Sequence, residues 1–395
     1  MKNKETDILV IGAGPAGLIA TREAARRETG VMIVEEHAEI GHPCHCAGLL
    51  SIKGLEQLGL PNNEFYVQNK VKGARFFSPS GLSFTVEKQE EVACVVDRSL
   101  FDQYLANRAI ESGAEILLNE KVESIKYAED RVSVQTQKDR FTAKMVIDAE
   151  GVSSKIIKEV GLNPIKRSSY VPGIQYDLEN VDIDAEYVEV HVGKKIAPGL
   201  FAWIIPLSAR KARVGLGCKG ANPKFLLDEF VRRRFNNAHI TISEVRSGFV
   251  ITGGPITRTF RDRFIVVGDA AGQVKPTTGG GVILGGICAS IAGKVAAEAV
   301  ASGDYSAYFL KQYENMWKNQ LGAEFRTMLL ARRILNRLSD QTLDKIFRIA
   351  VKENLQDLFS TNGDMDFQSS VLLKLFKKKE ALEALPSLLR DAIQF

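Results

Sequence analysis

Cysteine is scarce in this sequence, and long apolar runs are missing. The 395 residues include five cysteines, an odd number scattered along the chain, which cannot form a fully paired disulfide framework. This favours a reducing, cytoplasmic setting. The closest membrane-span candidate, Val282 to Gly293, is followed by Lys294 and is shorter than the ~20 residues that cross a bilayer. Asp7 also interrupts the N-terminal apolar stretch, which argues against a secretion signal.

The chain also lacks a large excess of one charge. Lys and Arg total 52 and Asp and Glu total 48, and the formal net charge of +4 is too small to indicate a nucleic-acid partner. The mildly basic balance is compatible with anionic partners or a membrane surface. With 45% hydrophobic and 25% charged residues, the composition is globular, and the length suggests two to three domains.

The N-terminal segment has the pattern of a nucleotide-binding unit. A strand from Asp7 to Ile11 leads into a glycine-rich turn, a helical pattern follows, and a second strand runs from Val31 to Val34. Such glycines permit a tight turn, close approach of a pyrophosphate and close helix packing. An acid after the second strand accepts hydrogen bonds from ribose hydroxyls. The alternative is a glycine turn that only packs. The candidate contacts are Gly12, Gly14, Pro15, Ala16, Gly17 and Glu35.

The remaining chain alternates between two kinds of segment. Residues 71–96 and 170–258 have strand-like alternation, with a hairpin turn at 78–81 and one helix near 225–235. A helix is predicted from 97 to 113, followed by strands up to 151. A buried strand begins at Phe264, a helix rich in small residues follows from about 281 to 301, and the pattern beyond Tyr305 is helical.

These segments predict an α/β fold with an α+β second domain. The first domain is Rossmann-like with a mixed sheet, is discontinuous, and comprises residues 1–70, 94–165 and 259–305. Residues 71–93 and 166–258 form an antiparallel-sheet substrate domain, and 306–395 form a C-terminal helical region. A second glycine motif, Gly215-Leu-Gly217-Cys-Lys-Gly220, suggests an NAD(P) site, but its antiparallel surroundings favour a chance match.

The two glycine turns together resemble a known class of flavoprotein. Gly12-Ala-Gly-Pro-Ala-Gly17 and the segment Val267-Gly-Asp269-Ala-Ala-Gly272 are similar to the FAD-binding domain of p-hydroxybenzoate-hydroxylase-like proteins. The resemblance implies that Asp269 bonds the ribityl chain and that Arg98 lies near the pyrophosphate. The alternatives are a helix-capping aspartate and a surface arginine that opens a helix. Further implied FAD contacts are Cys46, Ala47, Gly48, Val122, Gly279, Gly280, Gly281 and Val282.

One segment departs from this pattern. The hydroxylases have Asp-Gly-x-x-Ser where this chain has Glu150-Gly-Val-Ser-Ser154. A nicotinamide-handling role of that segment is therefore not carried over.

Two further segments resemble archaeal geranylgeranyl reductases. Residues 41–51, which include Cys44 and Cys46, are similar to a glycine-proline-cysteine-glycine segment, and Pro198 to Pro206 is similar to a Pro-x-x-Tyr-x-Trp-x-Phe motif. Phe201 replaces the tyrosine, so a role of its hydroxyl does not transfer. The resemblance places Cys46 beside the reactive face of the flavin as the catalytic candidate. The substrate candidates are Pro198, Phe201, Trp203 and Pro206.

Side-chain alternation gives the aromatic motif a physical meaning. Phe201 and Trp203 are two residues apart on a strand, so their rings face one side and, with the two prolines, wall an apolar tunnel for an isoprenoid chain. The alternative is ordinary sheet core. The histidines and cysteines at 37–46 invite a zinc interpretation, but the Cys-x-Cys spacing and the missing second ligand pair disfavour it, so no metal is predicted.

The resemblance implies an FAD-dependent reductase that saturates C=C bonds of geranylgeranyl chains in archaeal ether lipid precursors. The partners would be a prenyl lipid and an electron donor, either a small redox protein or a reduced nicotinamide or deazaflavin. Two alternatives stay open: a flavin monooxygenase of an apolar substrate and a non-catalytic lipid- or flavin-binding protein. The basic, leucine-rich segment around Lys374 to Lys379 either lies on an anionic membrane surface or packs on the protein.

Overall fold

The computed structural model describes residues 2–61, 64–128, 130–236, 239–377 and 391. The predicted helices and strands occur in the predicted order, together with short elements at 49–57, 67–71 and 155–159 that the sequence patterns did not predict. In the described residues the strands are β1 (Asn3–Ile11), β2 (Val31–Val34), β3 (Leu49–Ser51), β4 (Val67–Val71), β5 (Gly73–Phe77), β6 (Ser83–Glu87), β7 (Ala93–Val96), β8 (Glu115–Leu117), β9 (Val122–Tyr127), β10 (Val132–Thr136), β11 (Arg140–Asp148), β12 (Tyr170–Glu179), β13 (Tyr187–His191), β14 (Ala202–Ser208), β15 (Lys211–Gly217), β16 (Thr241–Ile251), β17 (Phe260–Arg261) and β18 (Phe264–Val266).

The helices account for most of the C-terminal third of the chain. They are α1 (Pro15–Ala25), α2 (Ile52–Gln57), α3 (Arg98–Glu111), α4 (Lys155–Glu159), α5 (Pro223–Phe235), α6 (Val282–Ser302), α7 (Ala307–Leu335), α8 (Asp340–Lys352), α9 (Leu355–Asn362) and α10 (Ser369–Lys377).

The first sheet is mixed, as predicted. Strand β1 lies between β2 and β11 and is parallel to both, and β8 and β18 extend the parallel part on either side. Strands β9 and β10 add antiparallel pairs next to β11. Because the carboxyl ends of parallel strands meet at one edge, Gly12, Glu35 and Gly268, which follow β1, β2 and β18, come to the same edge. This is where nucleotides bind in such sheets.

Helix α6 is longer than the apolar run that the sequence analysis singled out. It spans 21 residues and, among the described helices, is the one long and apolar enough to cross a membrane by length and composition. However, 72% of its most apolar window is buried inside the protein, where the helix packs on α1 and α7. Its hydrophobicity is therefore explained by its central position in the core.

The second sheet is largely antiparallel and combines two distant parts of the chain. Its order is β16-β12-β15-β14-β13-β5-β6, in which the hairpin β5–β6 joins through a parallel pair between β5 and β13. A small third sheet, β3-β7-β4, was not predicted, and β4 lies across the expected boundary at residue 70. The domain limits stay a prediction.

The second glycine motif lies in strand β15, which pairs antiparallel with both neighbours. A Cβ atom on Gly215 would come within 2.6 Å of the Trp203 ring and of Gln175 Cβ. The glycine therefore makes room for the indole. This packing role explains the motif without an NAD(P) site.

Replacing Gly215 with alanine is expected to destabilise the protein by about 1–3 kcal/mol, because the added methyl group overpacks the face that carries Trp203. Chemical denaturation measures the change. Gly173→Ala on the adjacent strand is the matched control, since its Cβ would meet no atom closer than 3.5 Å. Equal stability losses in the two variants would contradict the packing explanation.

A buried acid in the second sheet makes the fold acid-sensitive. Burial alone would raise the pKa of Glu189, but hydrogen bonds from Arg234 and His191 lower it from 4.5 to about 2. A depressed pKa stabilises the folded state above pH 4.5, and this contribution of about 3 kcal/mol is lost as the pH falls towards 2. The Glu189→Gln variant is expected to show a smaller loss of stability across this window in urea unfolding at several pH values.

Candidate functional site

The first glycine turn is closed by backbone contacts that only glycine permits. A Cβ on Gly17 would lie 1.9 Å from the carbonyl oxygen of Gly12, so α1 starts directly against the end of β1. By contrast, a Cβ on Gly14 would meet nothing within 4 Å. Pro15 occupies the first turn of α1, where its missing N–H costs nothing, and Ala16 follows it. The turn thus has free space at the helix N-terminus.

Glu35 is tied to this turn. Its Oε2 atom accepts a hydrogen bond of 2.7 Å from Ala13 N, and its Oε1 atom contacts the backbone and ring nitrogens of His37. The carboxylate therefore lies at the tip of β2 beside the glycine turn, where a ribose acceptor is predicted. Val122 begins β9, and its half-buried side chain packs in the apolar cluster that includes Val34. Their contacts with a cofactor stay predictions.

The late glycine turn meets the early one. A Cβ on Gly268 would lie 2.7 Å from the methyl group of Ala16, so segments about 250 residues apart in sequence share one place. Asp269 follows, and its Oδ1 atom lies beside Gly281 at the start of α6. Burial raises its pKa, and its carboxylate accepts no hydrogen bond from the described residues. The cap of α6 is Gly281, so Asp269 does not act as the helix cap.

Arg98 is the first residue of α3, as the alternative of a helix-opening arginine predicted, but it does not lie on the surface. Its side chain is 11% exposed and forms a two-point ion pair with Asp102, at 2.9 and 3.1 Å. Burial would lower the pKa of Arg98, and Asp102 with the nearby thiols of Cys46 and Cys44 raises it. The charge of the same guanidinium partly offsets the rise that burial causes in the pKa of Asp269. Arg98 is thus a largely buried cation beside the cysteine loop, since the next residue, Ser99, donates from Oγ to Gly41 O at 3.2 Å.

Glu150 has a structural role in this chain. Its Oε1 atom accepts from the backbone nitrogens of Ile156 and Ile157, and Oε2 accepts from that of Lys155, so it caps α4. Asp148 at the end of β11 is fully buried, and burial raises its pKa well above its usual value. Glu150, which replaces the aspartate of the hydroxylase pattern, therefore stabilises the start of α4.

The cysteine loop, residues 41–48, is held by the second sheet. Gln175 Nε2 donates to Cys46 O at 3.1 Å, and Arg213 Nη1 donates to Ala47 O at 3.0 Å. Within the loop, Gly48 N donates to Cys46 Sγ at 3.3 Å. Cys44 and Cys46 are both half-buried, and burial raises the pKa of Cys44. The thiol predicted to be catalytic is thus fixed on a loop with no helix or strand of its own.

Sequence reasoning missed the polar residues that support this loop. Arg213 is 3% exposed and forms a two-point ion pair with Asp177, which also contacts Arg246. Burial lowers the pKa of Arg213, but Asp177 raises it above its usual value. The sequence offered no clear signal for Arg213, because strand alternation puts it on the face opposite Ala212, Val214 and Leu216, where an arginine is expected in solvent.

Two of the predicted substrate residues, Phe201 and Trp203, lie on the side of the second sheet that faces the cysteine loop. Pro206 does not, because it pairs with Ala212, which belongs to the apolar cluster on the opposite face. The rings of Phe201 and Trp203 are 5.9 Å apart and edge-on. Trp203 and Ala47 pack against one apolar cluster, which also includes Ile205, whereas Pro206 is buried in β14 and Pro198 precedes it half-buried. In the described part of the chain, Trp203 Nε1 and Gln175 Oε1 are buried without a hydrogen-bond partner. Such atoms normally contact a water or a ligand.

The residues around the two turns fit FAD. The open space at Gly14 lies at a helix N-terminus, which suits a pyrophosphate, and Asp269 offers an unbonded carboxylate next to it. Gly279, Gly280 and Gly281 precede α6, whose N-terminus favours negative charge, and Val282 is its first residue. No three His, Cys, Asp or Glu side chains within the described residues are grouped as a metal site.

Comparisons with known proteins agree with this geometry. The sequence model described as FAD binding domain matches residues 5–316. Digeranylgeranylglycerophospholipid reductase of Methanocaldococcus jannaschii is 34% identical over 388 residues, which cover 95% of this chain and 98% of that protein. The chain belongs to this family of FAD-binding reductases. Digeranylgeranylglycerophospholipid reductase 2 of Methanothermobacter thermautotrophicus is 35% identical over 364 residues, 89% of this chain and 93% of that protein.

Solved structures show the same fold. A geranylgeranyl bacteriochlorophyll reductase-like protein of Thermoplasma acidophilum superposes with a TM-score of 0.87 at 28% identity, over 98% of this chain and 100% of that one. Halogenase PltM in complex with FAD has a TM-score of 0.69 at 14% identity, over 98% of this chain and 95% of that one, which shows the fold alone. This family member is an FAD-dependent oxidoreductase, as the sequence analysis predicted.

Proposed function

We propose that this chain saturates carbon–carbon double bonds in the geranylgeranyl chains of archaeal ether phospholipid precursors. The observation that carries the proposal is the match over nearly the whole chain to proteins named digeranylgeranylglycerophospholipid reductase. The apolar cluster with Trp203, next to the cysteine loop, supports a prenyl substrate. FAD, when bound and reduced, supplies the hydride from N5.

The protein's own residues would orient the alkene and exclude water. Trp203 and Phe201 present apolar surface for an isoprenoid chain, and Cys46 is the group proposed to hold or donate a proton at Sγ. Gln175 and Arg213 keep the Cys46 backbone in place from the second sheet. The thiol is thereby held in one position although its loop has no regular structure.

The test is anaerobic incubation of the dithionite-reduced protein with digeranylgeranylglyceryl phosphate, followed by mass spectrometry of the lipid. A gain of two mass units per reduced bond is expected. In a parallel incubation with oxygen, hydroxylation of the lipid without alkene reduction would instead identify a monooxygenase. Bound but unchanged lipid would identify a non-catalytic binding protein. Either outcome overturns the proposal.

Two partners belong to the same proposal. Each saturated bond consumes two electrons, so an external donor, either a small redox protein or a reduced nicotinamide or deazaflavin, must reduce the flavin again.

A peripheral membrane contact through the basic C-terminal segment would bring the enzyme to its lipid. Residues 378 and 379 of that segment lie outside the described residues. Truncation after residue 377 is expected to weaken sedimentation with anionic liposomes, and unchanged sedimentation would overturn the contact.

The preceding part of the C-terminal region packs on the protein. Asp344 in α8 accepts hydrogen bonds from Ser78 Oγ and Ser80 N, at 2.6 and 3.0 Å, in the turn of the β5–β6 hairpin. Helix α8 is therefore occupied by contacts with the protein, and a membrane contact would involve the chain that follows it.

A further inference from the structure

The loop from Lys275 to Gly281, called here the flavin loop, is held from the C-terminal region by buried side chains. Lys275 Nζ pairs with Asp366 Oδ1 at 2.7 Å and donates to Met365 O at 3.1 Å. The two paired side chains are 6% and 2% exposed. At the same time, Lys275 N donates to Gly280 O at 3.0 Å. One residue thus joins both ends of the loop and connects the loop to a segment about 90 residues later.

The second oxygen of Asp366 extends this connection to the cysteine side of the site. It accepts from Ser51 Oγ, and the same oxygen of Ser51 accepts from Gly54 N at 2.9 Å to cap α2. Ser51 ends β3, the strand that leaves the cysteine loop. Met365, next to Asp366, packs against the apolar cluster that also holds Trp203. The segment around Asp366 therefore connects the flavin loop, the strand that follows the cysteine loop and the apolar cluster with Trp203.

Arg332 of α7 holds the other side of the flavin loop. Its Nε atom donates to Pro276 O at 3.0 Å, and Nη2 donates to Thr277 O. Because each peptide unit is planar, these two bonds fix the orientation of two successive peptide planes. A third, longer bond of 3.4 Å reaches Gly199 O in the substrate motif.

Among the residues that the structure describes, no acid forms an ion pair with Arg332. The side chain is 5% exposed, and its partners in the described residues are carbonyl and amide oxygens. Burial lowers its pKa to about 10, so the guanidinium stays charged at neutral pH. A buried cation without a counter-ion is costly. A negative charge that forms nearby during the reaction would offset this cost.

We propose that Arg332 and the Lys275–Asp366 pair are positioning residues for the flavin: they fix the flavin loop and favour the negatively charged reduced form. The proposal rests on the proposed function only in that Gly279, Gly280 and Gly281 of the flavin loop contact FAD, as the resemblance to FAD-binding domains implies. Arg332 acts through its charge and through the two peptide planes. The Lys275–Asp366 pair acts by closing the loop against the C-terminal region.

The test measures the holoenzyme without lipid, so it is independent of whether the alkene is reduced. At a fixed potential set by a reference dye, Arg332→Met is expected to lower the ratio of reduced to oxidised flavin by about tenfold. Arg333→Met is the matched control, because Arg333 is the exposed neighbour on the same helix. A ratio unchanged in Arg332→Met, or lowered equally in Arg333→Met, would overturn the proposal.

A second variant covers the case that Arg332→Met does not fold. The double variant Lys275→Met with Asp366→Asn removes one charge of each sign and leaves the net charge unchanged. Faster release of FAD on dilution, by about tenfold, is expected while circular dichroism stays that of the wild type. The matched control removes the exposed pair Lys211–Glu179 on the second sheet. Equal FAD release in the double variant and in this control would overturn the proposal.

Discussion

The Cys46→Ala variant is expected to keep FAD and to lose about 10²- to 10⁴-fold of its rate of alkene reduction, the range found for positioned acid–base groups. The sulfur is held by Gly48 N, and the Cys46 and Ala47 carbonyls are fixed by Gln175 and Arg213. Removing the thiol therefore removes the proposed proton donor while these two bonds continue to hold the loop. Single-turnover oxidation of the reduced flavin by lipid, measured anaerobically, gives the rate.

Cys44→Ala is the matched control, because it removes a thiol from the same loop. Burial raises the pKa of Cys44, which makes that thiol a poorer proton donor than an ordinary cysteine. Near-normal turnover is expected in this variant. If Cys46→Ala reduced the alkene at the rate of the wild type, the thiol would have no catalytic role and a water would have to supply the proton.

The second large effect is expected at the first glycine turn, where replacing Gly14 should weaken FAD binding and replacing Gly17 should destabilise the fold. Gly14→Ala is expected to fold normally but to weaken FAD binding by about 10- to 100-fold, because the space around its Cβ is left open by the protein and suits the pyrophosphate. Gly14 has the extended backbone angles φ −75° and ψ 176°, so alanine adds no strain. Fluorescence titration of the apoprotein with FAD measures the affinity.

Gly17→Ala provides the contrast, because the added methyl group would collide with the Gly12 carbonyl and separate α1 from β1. We expect a loss of about 3–5 kcal/mol in the free energy of unfolding, or no folded protein. Urea denaturation distinguishes the two variants. Normal FAD affinity in Gly14→Ala would show that the cofactor does not approach this turn.

The nucleotide unit was readable from sequence because its signals are local. The strand, the glycine turn, the helix and Glu35 all fall between Asn3 and Glu35, and the structure places them as the pattern predicts. The late turn at Asp269 was recognised in the same way, from a strand running into glycines. That the two turns touch, through Gly268 and Ala16, follows from the parallel order of β1, β11 and β18.

The support of the cysteine loop could not be predicted with equal detail. Gln175 and Arg213 reach Cys46 and Ala47 from strands more than 120 residues later in the chain. Strand alternation shows which residues share a face, but it does not show which loop lies opposite that face. The glycine motif at Gly215 was interpreted as a chance match, and its packing cause could not be predicted for the same reason, because only the position of Trp203 reveals it.

The sequence by itself determined the nucleotide-binding turns, the order of the longer helices and strands, and the family to which the chain belongs, because each depends on residues that are close together along the chain. Only the tertiary structure decided how the site is closed. Lys275, Asp366 and Arg332 meet at the flavin loop through contacts between segments about 55 to 90 residues apart. Such contacts depend on how helices pack, which local patterns do not encode.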